Sequence, residues 1–128
     1  MTEEGKIKAQ IKKLLNAYNA YYEMPVPGGF GKSGLDFNVC MNGFWLAIEA
    51  KKPGGKPTPR QIKTMEDIRK AGGATMLIDG IDTMLELEAW LKLMSPIKAS
   101  GMVKALVQKT QSMQKQKDKP ENRKKYEH

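Results

Sequence analysis

Along the first part of the chain, apolar residues recur at helical spacing. Ile7, Ile11, Leu14, Leu15 and Tyr18 fall on one side, with lysines between them, as in an amphipathic helix that packs on a core. The spacing predicts a helix over residues 3–22, capped by Thr2 and stopped before Pro25 and Pro27. A short extended piece is expected from Tyr22 to Val26. Residues 28–34 hold four glycines and favour a loop.

The period then changes. Leu35–Met41 and Phe44–Ala50 are apolar runs separated by Asn42-Gly43, the dipeptide that most strongly signals a type I′ hairpin. In the second run both alternating sets are apolar until Glu49, as expected of a strand covered on both faces. Lys51 to Pro59 is a loop rich in Pro, Gly and Lys. Thr58 or Pro59 opens a helix over residues 59–71, with Ile62, Met65 and Ile68 as its stripe and Gly72-Gly73 as its end. Ala74–Ile78 reads as a buried strand. A helix over residues 82–94, capped by Asp82, and another over residues 100–115 complete the pattern. The predicted architecture is a single α/β domain over residues 1–97, followed by an amphipathic helix over 98–117 that packs on the core or on a second copy. Residues 118–128 form a basic tail whose composition favours disorder.

Composition narrows the function. The net charge is +8, and residues 98–128 carry nine Lys/Arg against three Asp/Glu, so the basic character is concentrated at the C-terminal end and points to a polyanionic partner. A solvated, solubilising tail has the same composition. No apolar run reaches the length of a membrane span, and the first ten residues, MTEEGKIKAQ, lack the apolar stretch of a signal peptide. One cysteine, Cys40, allows no intrachain disulfide. The expected compartment is a reducing cytoplasm, the host's if the protein is phage-encoded. The single histidine, His128, argues against a zinc site and against histidine-activated nucleophiles. Cys40, Trp45 and Trp90 sit at apolar spacing and are expected in the core. Gly31-Lys32-Ser33 is not a nucleotide-binding loop, because Val26 stands where the first glycine is required. No nucleotide cofactor is expected.

The chemistry gathers at the hairpin. Pairing centred on Asn42-Gly43 sets Asp36 opposite Glu49, and Lys51, two residues further on, shares Glu49's face. Two carboxylates held together resist joint ionisation unless a cation joins them. Magnesium suits all-oxygen ligands and keeps waters for chemistry, and a neighbouring lysine can neutralise developing charge on a phosphate. A Glu-x-Lys triplet alone carries little weight in a lysine-rich chain; the in-register aspartate gives it meaning.

Gly34-Leu35-Asp36, Ile48-Glu49-Ala50-Lys51 and Gln61 together resemble the VRR-NUC branch of the PD-(D/E)XK nucleases. So do the glycine-rich loop before Asp36, the Pro/Gly loop after Lys51 and Ala71-Gly72-Gly73 before Ala74–Asp79. The similarity covers residues 4–93. Leu35 and Phe37 stand where that family usually has Pro and often Arg. The resemblance implies a restriction-endonuclease-like αβββαβ core with a mixed sheet flanked by helices. It implies an Mg²⁺- or Mn²⁺-dependent endonuclease that hydrolyses DNA phosphodiester bonds. Asp36, Glu49 and the Ala50 carbonyl would be metal ligands, and Lys51 the catalytic lysine. Gln61 would lie beside the site, and Glu4, with Glu3 as rival, would reach the metal's water shell. Lys32, Ser33, Lys52, Lys56 and Arg60 are the expected DNA contacts, although Lys32 reads almost as well as an ordinary exposed lysine. Stand-alone members of the family include homodimers that resolve branched or four-way-junction DNA. The alternative is a non-catalytic DNA-binding module, or a partner subunit, on the same fold.

Deleting residues 118–128 removes four Lys/Arg and three acids. It is expected to lower DNA affinity modestly, most at low salt, and to flatten the plot of log affinity against log salt. A salt titration paired with single-turnover cleavage checks this; the turnover rate at saturating DNA should hardly change.

Overall fold

The computed structural model describes residues 1–26, 34–95 and 108–115. Seven elements follow in order: α1 (Glu3–Ala17), β1 (Tyr21–Glu23), β2 (Phe37–Met41), β3 (Phe44–Ala50), α2 (Pro59–Lys70), β4 (Ala74–Ile78) and α3 (Ile81–Met94). The protein is α/β, with a four-stranded mixed sheet in the order β1-β2-β3-β4. β1, β2 and β3 are antiparallel neighbours, while β3 and β4 run parallel. Parallel neighbours need a crossover, and α2 supplies it. These elements belong to one compact unit, Met1–Ser95; a second unit spans Pro96–His128. Within the second unit, residues 108–115 are helical; the rest of the helix expected over 100–115 lies outside the described residues, as do the tail and most of the glycine-rich loop. Among the described residues, no helix is long and apolar enough to cross a membrane.

Each face of the sheet carries its own apolar cluster. On one face, Ile7, Ile11 and Leu15 of α1 and Leu87 and Leu91 of α3 meet Phe37, Val39, Leu46, Ile48 and Ile78. On the other, Met65 of α2 packs with Leu35 and Ala47, joined by Ile68 and Leu77. Leu35 is therefore a core residue. Covered on both sides, β3 is buried from Leu46 to Ala50. The hairpin register follows the turn: Phe37 pairs with Ile48 and Met41 with Phe44. Asn42 and Gly43 both have positive φ, 51° and 81°, which a type I′ turn requires.

Several expectations need correction: β1 covers Tyr21–Glu23 and not Tyr22–Val26, and β4 is only half-buried up to Ile78. α1 ends at Ala17, five residues early. Asn19 adopts a left-handed φ of 56°, its N–H bonds Asn16 O and the Ala20 N–H bonds Leu15 O, a Schellman cap that releases the chain into β1. Cys40 is exposed, not buried, because it points to the α2 side of the sheet while α2 packs over β3 and β4. Trp45, beside it in register, is half-exposed for the same reason, whereas Trp90 packs against the larger core as expected. Asp82 does not cap α3. The helix begins at Ile81, and the Thr83 hydroxyl accepts the Asp79 and Gly80 N–H groups instead.

Gly73 sits where the end of α2 passes β3. A Cβ added there would lie 2.7 Å from Ile68 Cγ2 and 3.1 Å from Trp45 Cδ1. Ile68 is β-branched and cannot swing away. Gly73→Ala should destabilise the fold by about 1–3 kcal/mol, measured as a lower urea midpoint with an unchanged slope.

Candidate active site

The site forms where the β2–β3 ladder ends. Asp36 lies one residue before β2, and its Oδ2 accepts the Ala50 N–H at 2.9 Å. A side chain thus takes the bond that a further strand residue would have made. Along a strand the N–H and C=O of one residue point the same way, so the Ala50 carbonyl also faces the Asp36 side. Lys51, next along, turns the other way and donates its N–H to Ile78 O at 2.9 Å.

Glu49 shares the α2-facing side of β3 with Ala47. It is 4% exposed, the one buried charged residue among those described. Gln61 reaches it from α2: Nε2 donates to Glu49 Oε2 at 3.2 Å. The capping box at the start of α2 sets that amide. Gln61 Oε1 accepts the Thr58 N–H at 2.9 Å and the Gln61 N–H returns to Thr58 Oγ1 at 3.2 Å, so the NH₂ end is the one turned toward the carboxyl.

Two lysines bracket the two acids. Lys51 Nζ lies 3.8 Å from Glu49 Oε2. Lys8 Nζ, from α1, lies 3.3 Å from Asp36 Oδ1 and 3.8 Å from Glu4 Oε2. Burial pushes the Glu49 carboxyl up to about 7; its hydrogen bond to Asp36 and that residue's charge push the same way, while Lys51 and Lys8 pull it back. The Glu49 carboxyl therefore keeps its proton into the neutral range. Among the described residues, every buried side-chain nitrogen and oxygen has a hydrogen-bond partner.

Asp36, Glu49, Lys51 and Gln61 therefore converge, with the Ala50 backbone between them. Glu4 joins through Lys8. Glu3 and Glu4 both line a cleft of about 520 Å³ beside the cluster, together with Thr2, Lys51, Lys52, Gly55 and Lys56. Arg60 is exposed in the first turn of α2, one residue before Gln61. Lys32 and Ser33 lie outside the described residues. Lys8 was not anticipated from the sequence; the available signal was its position four residues after Glu4 on one helix face.

The donor set fits a hard divalent cation. Two carboxyls within hydrogen-bonding reach of one another can hold one metal ion between them, and every donor at this point is oxygen. Among the described residues, no group of three or more acidic, histidine or cysteine side chains gathers at one place. Magnesium is commonly held by one or two carboxylates plus water and phosphate oxygens; zinc sites draw on histidine and thiolate, which this cluster lacks.

The chain matches no protein-family model and no curated protein sequence.

The Glu49 carboxyl ionises near 4.5 in the unfolded chain and near 7 in the folded one. Between these values the folded state binds more protons, so stability falls as pH rises through the window. The contribution is fully present below 4.5 and lost above 7, and is on the order of 3 kcal/mol. Urea unfolding in EDTA from pH 4 to 8 should show this decline. Glu49→Gln should remove it and be more stable than the wild type at pH 8.

Proposed function

We propose that this chain is a metal-dependent DNA endonuclease of the VRR-NUC type, hydrolysing phosphodiester bonds with Mg²⁺ or Mn²⁺. The observation that carries the reading is the convergence of Asp36, Glu49 and Lys51 at one end of the β2–β3 hairpin, with Gln61 on the buried carboxyl. A surface ion pair would not need a carboxyl buried at the end of the central strand, nor a helix-cap glutamine turned onto it.

Each residue has a part. Asp36 and Glu49 would hold the ion, with the Ala50 carbonyl on the same side. A divalent cation there would polarise the scissile phosphate and make its bound water acidic enough to supply hydroxide. Lys51, salt-bridged to Glu49 and open to the cleft, would neutralise charge building on the phosphate oxygens. Gln61 holds Glu49 in one orientation, and the Ala50 N–H does the same for Asp36, so neither carboxylate has to be ordered when substrate arrives. Lys52 and Lys56 extend positive charge along the cleft, where flanking phosphates would lie. A homodimer would present two such sites to two strands of branched DNA.

Cleavage should require Mg²⁺ or Mn²⁺ and stop in EDTA. Asp36→Asn and Glu49→Gln should fold and lose activity. Lys51→Ala should slow single-turnover cleavage by at least ~10²-fold while keeping metal binding. The measurement is a gel assay across single-stranded, duplex, flap and four-way-junction DNA. Undiminished cutting by purified Asp36→Asn would refute the assignment, and DNA binding without cutting in any metal would leave a non-catalytic module.

A further inference from the structure

Asp36 has two oxygens, and in the folded chain both are engaged. Oδ2 takes the Ala50 N–H at 2.9 Å, a bond built into the end of the sheet. Oδ1 faces the Lys8 ammonium at 3.3 Å. A metal ligated by Asp36 would therefore meet Lys8 at Oδ1, the oxygen not committed to the backbone. An ammonium and a divalent cation repel one another strongly at such separations. Lys8 has somewhere to go. Its side chain is about one-third exposed, and Glu4 Oε2 lies 3.8 Å from the same nitrogen. Glu4 also lines the cleft that Lys51, Lys52 and Lys56 share.

We propose that Lys8 is the resident counter-ion of Asp36 and is exchanged for the metal: its ammonium holds Oδ1 while no ion is bound, yields that oxygen when one arrives, and is thereby freed to contact a substrate phosphate. This rests on the metal-dependent reading above. It makes Lys8 a competitor of the metal and, once displaced, a partner of the DNA. Binding of the ion and of the polyanion are then coupled, since each makes room for the other. The free protein keeps Asp36 paired, and the cleft gains a cation only when the catalytic ion is in place.

The variants are Lys8→Gln and Lys8→Arg, beside wild type and Asp36→Asn. Titration calorimetry with Mn²⁺ at pH 8 should give Lys8→Gln an affinity on the order of tenfold tighter than wild type. Lys8→Arg, which keeps the charge, should bind as weakly as wild type. DNA affinity is then measured in EDTA and in Ca²⁺, chosen as an ion that occupies carboxylate sites while leaving the DNA uncut. Lys8→Gln should match wild type in EDTA. In Ca²⁺ it should bind several-fold more weakly, with a salt slope lower by about one. A merely structural lysine would change both DNA measurements together or neither. Mn²⁺ affinity in Lys8→Gln equal to or weaker than in wild type would overturn the exchange, as would a DNA defect of the same size in both conditions. In those cases wild type would still bind Mn²⁺ in a manner that Asp36→Asn abolishes. If wild type itself bound no Mn²⁺, the metal site would be refuted and Lys8's role with it.

Discussion

A carboxyl at the end of a doubly covered strand must be protonated, paired or bound to a cation, because too little water reaches it to carry the charge. Glu49 is in that position. Gln61 donates to it, Lys51 lies 3.8 Å from it, and the Asp36 carboxyl beside it raises its pKa further. None of these is sequence-adjacent support from β3 alone, except Lys51. The site therefore exists only when α2 is capped, the hairpin is in register and α1 lies close enough for Lys8 to reach Asp36.

Gln61 illustrates how local and tertiary demands coincide. As the third helical residue of α2 it closes a capping box with Thr58, worth about 1 kcal/mol in typical helices. That bond consumes the carbonyl end of the amide and leaves the donor end for Glu49. The same side chain thus stabilises the helix start and orients the buried acid. Asn at this position would be a whole methylene too short for both.

Much of the core was legible from the sequence because its signals are local. Asn42-Gly43 set the hairpin register, and with it the pairing of Asp36 toward Glu49. Period-3.6 stripes placed α2 and α3 within a residue of their observed bounds. What escaped depended on contacts that a linear pattern does not encode. The early end of α1 rests on one asparagine in a left-handed conformation, and Asn19 looks like any polar helix residue until its φ is known. Cys40 and Trp45 have core-like spacing, but their burial depends on how far α2 extends across the sheet. Lys8 belongs to the site only because the N-terminal turns of α1 overhang the end of β2. The mixed four-stranded α/β fold was foreseen; the lysine opposite Asp36 was not.

The turn at Asn42-Gly43 imposes a parity rule on this molecule. Side chains alternate faces along β2 and β3, and the two acids meet because equal numbers of residues separate each from the turn. Lengthening the hairpin by one residue on one arm would rotate either Asp36 or the Glu49–Lys51 pair to the opposite face. Adding one residue to each arm would keep the opposing positions matched but carry the acids to the other side together, away from Gln61. Only paired additions of two per arm would restore both the match and the face. Length variation that spares the chemistry is thus quantised at this tip, whereas the same change in an irregular loop would face no such rule.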